Sequence, residues 1–85
     1  MVYAPSRNGL RIGLSVRKSV GGAVVRNRVK RLLRENLRAL IAQNLLESNF
    51  NYIVIARENL ARLRFAEIGA ELRVVLARAG KLKTR

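Results

Sequence analysis

Neither cysteine nor histidine occurs anywhere in the 85 residues. Their absence excludes disulfides, thiolate chemistry, zinc sites of the usual nitrogen and sulfur kind, and imidazole acid–base catalysis. Acids are nearly as scarce: the only five are Glu35, Glu47, Glu58, Glu67 and Glu71, scattered singly along the chain. Metal-dependent nucleases need carboxylates converging on an ion pair, so this spacing argues against a protein-borne metal centre. No apolar run approaches the roughly 20 residues of a membrane span, and the N-terminus lacks a signal-peptide core. The expectation is a soluble, cytoplasmic chain with no membrane partner.

Against these shortages stands an excess of one charge. Eighteen Lys and Arg oppose the five Glu, for a formal net charge of +13. Like charges crowded on so small a body repel one another in the compact state, a cost that a polyanionic partner removes. Arg supplies 14 of the 18 cations, and a planar guanidinium suits bidentate phosphate contacts and stacking on bases better than an ammonium does. The balance points to nucleic acid rather than to a small-molecule substrate. One domain is the most this length allows, with about 60–65% of the unfolded chain's surface buried on folding.

Residues 10–17, LRIGLSVR, alternate strictly, with Leu10, Ile12, Leu14 and Val16 on one face, which predicts a half-buried strand. The preceding SRNG is a turn signal, so residues 2–5, VYAP, are expected to form the end of an antiparallel partner strand carrying Tyr3. SVGG at 19–22 breaks the second strand and supplies a Gly-rich helix entry, where free backbone N–H groups and the positive dipole end favour anions. From residue 23 to about 46 the period turns helical, with Val25, Val29, Leu32, Leu33, Leu37, Leu40 and Ile41 in one apolar stripe. NYIVIAR at 51–57 reads as a central strand buried on both faces. Residues 58–63, ENLARL, lead to a second helix over about 65–79, with the stripe Phe65, Ile68, Leu72, Val75 and Leu76 and with Gly80 as its stop. Residues 81–85, KLKTR, read as a frayed basic tail beyond a single domain of residues 1–80. The order strand, strand, helix, strand, helix implies an α+β fold: a small α/β sandwich, three to four strands packed on one side by two helices, with a right-handed crossover as the default.

The first helix carries the chemistry. At 100° per residue, Asn27, Arg31, Arg34 and Arg38 fall together opposite the apolar stripe, and Arg26, Lys30 and Arg34 form a second ridge between the first and the core. Most charged helix faces are simply solvated, and Arg is itself a good helix former. Yet residues 17–38 hold eight cations and one acid, Glu35, so i,i+4 pairing cannot neutralise them. An ordinary solvated helix mixes signs. The valines and leucines are core, whereas a lone strand tyrosine such as Tyr3 is either edge packing or a stacking platform for a base.

Residues 20–35, VGGAVVRNRVKRLLRE, resemble the signature of the protein component of bacterial ribonuclease P, a small-residue turn leading into a helix with Arg-Asn-Arg and then alternating aliphatic and basic positions. The resemblance extends through LRIGLSVRKSVG before it and YIVIAR after it, so nearly all of residues 2–79 are covered. It implies an RNA-binding subunit of an endoribonuclease, assisting a catalytic RNA in removing the 5′ leader from precursor tRNA. It also implies catalytic Mg²⁺ held mainly by that RNA, no catalytic residue in this chain, and a left-handed β-α-β crossover in place of the default. On this resemblance Arg26, Asn27 and Arg28, with Arg31, are expected to contact the RNA subunit through phosphates and 2′-hydroxyls. Arg17 and Lys18, at the family's basic strand-to-helix turn, are expected to add phosphate contacts. Lys30 and Arg34 match positions bordering a cleft for the single-stranded leader, and Tyr3 matches an aromatic on that cleft's sheet floor.

The chain departs from the family pattern by opening at MVYAPS, inside the family's first strand and without the N-terminal helix whose Phe side chains form the other cleft wall. Exposed apolar surface on the sheet is the expected consequence. Two other readings of the same basic helix are a structural, ribosomal-type protein that binds rRNA and a DNA-binding regulator. A strand separates the two helices, which leaves no helix-turn-helix pair for the regulator.

Overall fold

The β-branched run near the middle of the chain organises the sheet. In the computed structural model, which describes residues 2–6 and 9–83, the strands are β1 (Val2–Pro5), β2 (Arg11–Val16) and β3 (Phe50–Ala56). The helices are α1 (Ala23–Ala42) and α2 (Phe65–Arg78), each preceded by a 3-10 turn, Lys18–Val20 and Glu58–Leu60. The strand order is β1-β3-β2. β3 runs parallel to β2, from Arg11↔Asn51 to Val16↔Ala56, and antiparallel to β1, with Tyr3 opposite Tyr52. A parallel neighbour requires a crossover connection, and α1 supplies it between β2 and β3.

Two expectations about the sheet are corrected here. β1 pairs with β3 and not with β2, because the most apolar strand takes the centre and so fills both of its hydrogen-bonding edges. The turn residues Arg7 and Asn8 lie outside the described residues. β3 is also not buried on both faces. Tyr52, Val54 and Ala56 are buried, whereas Asn51 is exposed and Ile53 is 50% exposed. Both helices lie on the first face: Val29, Leu33, Leu37 and Leu40 of α1 and Ile68, Leu72 and Leu76 of α2 join the strand residues in one core, with Ile12, Leu14 and Val16 packed against it. No described element covers the second face around Ile53, which lies opposite the face that carries Tyr3 and Ile12.

Helix termini explain the remaining boundaries. α1 stops at Ala42, short of 46, because Asn44 turns left-handed (φ 55°) and the Leu45 N–H returns to the Leu40 carbonyl. Gly80 ends α2 in the same way, at φ 71° with the Lys81 N–H on the Leu76 carbonyl, a left-handed position that glycine adopts without steric cost. The tail is not frayed over residues 81–83: Leu82 bridges Leu46, the Glu47 N–H donates to the Lys81 carbonyl at 2.9 Å, and the Lys83 N–H donates to the Leu45 carbonyl at 2.6 Å. Apolar Leu82, packed against the core, draws the segment in. Thr84 and Arg85 lie outside the described residues.

The buried Tyr52 hydroxyl donates to the Glu47 carbonyl at 2.7 Å. Burial, and then the Glu47 charge, push its phenol above the usual 10.0. A raised folded-state value means that the unfolded chain loses this proton first. The associated stability is therefore intact below pH 10 and is lost as pH rises through the folded value. We expect alkaline melts to show this decline and Tyr52→Phe to flatten it, read by circular dichroism beside the tyrosinate absorbance.

Candidate nucleic-acid interface

α1 begins without a side-chain cap and with no acid in its first turn. Gly21, at φ 153°, makes the sharp entry; a Cβ there would meet Val25 Cβ at 3.0 Å. Once the helix is seated, its three sides have different surroundings. Asn27, Arg31, Arg34 and Arg38 are all exposed and form the outward ridge, with Glu35 the only acid on the helix. Arg26 is half-buried, and its Nε is enclosed without a hydrogen-bond partner among the described residues.

On the side facing β2, Lys30 and Arg34 stand over Ile12 and Leu14, with Leu37, Arg38 and Ile41 completing a groove of about 200 Å³. Its floor is apolar and its rim cationic, a combination that admits a base while gripping a backbone phosphate. Tyr3 is not part of it. Tyr3 lies on β1, on the same sheet face but at the opposite edge, with β3 between. Two strand spacings amount to about 10 Å. Its ring meets Phe50 edge-on at 6.2 Å, and Lys81 Nζ sits 4.6 Å from the Tyr3 centroid and 4.1 Å from the Phe50 centroid. The three side chains assigned to the leader thus fall into two places, Lys30 with Arg34 and Tyr3 with Lys81.

On the side facing α2, Arg28 turns away from its sequence neighbours. Nη2 donates to the Leu63 carbonyl at 2.7 Å and Nη1 to the Ala61 carbonyl at 3.3 Å. About two helical turns further on, the buried Asn36 donates from Nδ2 to the Leu32 carbonyl (2.9 Å) and the Phe65 carbonyl (3.1 Å), tying α1 to α2.

Lys18 opens the first 3-10 turn and Arg17 immediately precedes it, both exposed. The parallel register ends at Val16↔Ala56, so Arg17 and Arg57 are the next residues on adjacent strands. Glu58 stands beside them, its carboxyl held below the ordinary range by a hydrogen bond from the Ser19 hydroxyl first, then by its own backbone and by Arg17 and Arg57. Sequence reasoning missed Arg57, Lys81 and the exposed Arg62 and Arg64. Only the strand register and the tail's return reveal the first two.

No group of three or more His, Cys, Asp or Glu among the described residues could hold a metal ion. No helix of the described residues is long and apolar enough to cross a membrane. What the surface does offer is a basic ridge on a crossover helix, flanked by a groove and two basic turns.

Known proteins resemble this chain in sequence and fold. The Ribonuclease P family model matches residues 1–80. The ribonuclease P protein component of Geobacillus kaustophilus is 42% identical over 79 residues, 93% of this chain and 64% of that protein. That of Exiguobacterium sibiricum is 42% identical over 86 residues, 98% of this chain and 72% of that protein. The solved RNase P protein of Staphylococcus aureus superposes with a TM-score of 0.70 at 32% identity, over 94% of this chain and 68% of that one. For the Thermotoga maritima protein the TM-score is 0.77 at 27% identity, over 89% and 72%. The chain thus spans 64% of the length of the Geobacillus relative. Sequence match and fold agree, and the chain belongs to the Ribonuclease P family.

Proposed function

We propose that this chain is the RNA-binding protein subunit of ribonuclease P and assists a catalytic RNA in the endonucleolytic removal of the 5′ leader from precursor tRNA. The observation that carries the reading is the unneutralised outward ridge of α1, Asn27, Arg31, Arg34 and Arg38, on the helix that bears the family's Arg-Asn-Arg. Arg26, Asn27 and Arg31, joined by Arg17 and Lys18 at the neighbouring turn, contact the RNA subunit through its backbone, which positions the partners with little dependence on base identity. Lys30 and Arg34 hold the single-stranded leader along the β2 groove, and Tyr3, at the other sheet edge, meets it only where the leader crosses the sheet face. Phosphodiester hydrolysis takes place at magnesium ions held by the RNA; this chain supplies positive charge and orientation.

Purified protein added to a ribonuclease P RNA transcript should bind it and raise precursor-tRNA cleavage at low Mg²⁺. A protein that neither binds nor stimulates would sink the assignment. Within it, Lys30→Ala and Arg34→Ala should reduce the preference for precursor over mature tRNA by about tenfold, the loss of one or two exposed charge-assisted contacts at about 1 kcal/mol or less each. Arg31→Ala should weaken RNA-subunit binding without altering that preference. Equal effects of all three on both substrates would remove the division of labour.

A further inference from the structure

The structure assigns residues 57–64, the strap between β3 and α2, as a second RNA-contacting element, with Arg28 as the positioning residue that holds it beside the basic ridge. This rests on the RNA-subunit reading above. The strap carries Arg57, Arg62 and Arg64, all exposed, against the single acid Glu58. That acid stands at the strap's far end, already engaged by the Ser19 hydroxyl. The strap is fixed at three points. Leu60 is buried in the core, Arg28 grips the Ala61 and Leu63 carbonyls, and the Arg64 N–H donates to Glu67 Oε1 at 3.1 Å at the start of α2.

Helical geometry puts this element next to the ridge. Arg28 and Arg31 are three residues apart on α1, about 60° apart around its axis. A loop held by the Arg28 guanidinium therefore borders the face that Arg31 presents. A guanidinium with two donors committed to backbone carbonyls keeps one fixed direction, whereas the exposed Arg62 and Arg64 remain free to turn to a phosphate. The basic surface is thus two elements wide, helix and strap, and Arg28 acts through the second.

The test measures binding of a ribonuclease P RNA transcript across a salt series. Arg62→Ala/Arg64→Ala should weaken binding and lower the salt slope by about two, one per lost phosphate contact. Arg28→Ala should weaken binding in the same direction and speed amide exchange over residues 58–64. The triple variant should lose little beyond the double, because Arg28 acts through the strap. Wild-type affinity and slope in the double variant would overturn the proposal, as would unchanged exchange in Arg28→Ala or fully additive losses in the triple. Failure of the unaltered protein to bind the transcript would take down the subunit reading with it. Normal binding with indifferent strap variants overturns the strap alone.

Discussion

Gly69→Ala is expected to destabilise the fold by about 1–3 kcal/mol, the range for overpacking a filled core. The expectation runs against helix propensity, since alanine in a helix interior is better than glycine by about 1 kcal/mol. Sterics decide the sign. A Cβ on Gly69 would stand 2.5 Å from Asn36 Oδ1 and 3.3 Å from its Cγ. Asn36 cannot simply swing away, because its Nδ2 is committed to the Leu32 and Phe65 carbonyls in a buried setting. Leaving such a buried group unpaired costs about 1–3 kcal/mol. For a domain of this size each kcal/mol lowers Tm by about 4–8 °C, an effect that a circular-dichroism melt resolves easily. The double variant supplies the internal control. In an Asn36→Ala background the obstruction is gone, so Gly69→Ala should become neutral or stabilising. A Gly69→Ala protein that melts above wild type would show that α1 and α2 do not approach each other as described.

Raising monovalent salt from 50 to 200 mM is expected to weaken RNA-subunit binding by about a thousandfold, the counterion-release result for roughly five or six phosphate contacts. The ridge and basic turns supply enough cations for that number: Arg17, Lys18, Arg31 and Arg38 are exposed, and Arg26 is half-buried beside them. Arg31→Ala should lower the slope by about one, with an unchanged melt because its side chain supports no packing. A filter-binding titration across the salt series reads both quantities. An affinity that hardly moves with salt would mean base-edge or apolar recognition instead, and the ridge would revert to a solvated face.

Much of this was legible in the residues. Strict alternation at Leu10 to Val16 placed β2, the 3.6-residue period placed α1 and α2, and Gly80 marked the end of α2. The outward ridge followed from helical angles alone. What the pattern left open were matters of pairing in space. An apolar run such as NYIVIA looks the same whether one or both faces are covered, and the half-exposed Ile53 is visible only once both helices lie on one side. VYAP beside a turn signal reads as a hairpin, yet its Tyr3 faces Tyr52 some fifty positions later. Arg28 was grouped with Arg26 and Asn27 by the family resemblance, and its hydrogen bonds to the Ala61 and Leu63 carbonyls become visible only once the loop before α2 is in place. The tail misled for a related reason: its lysines suggested solvent, and the apolar Leu82 between them decided its course.

The central position of β3 also sets an order of events during synthesis. Every ladder in the sheet includes β3, and neither β1 nor β2 has another strand partner among the described residues. No strand pair can therefore form until the ribosome has made residue 50 and those after it. Joining Tyr3 to Tyr52 then closes a long loop, the kind of non-local contact that slows folding. The basic helix leaves the ribosome well before the sheet that orients it. Its ridge, the groove along β2 and the two basic turns consequently take up their mutual positions together, at the moment the last strand inserts between the first two.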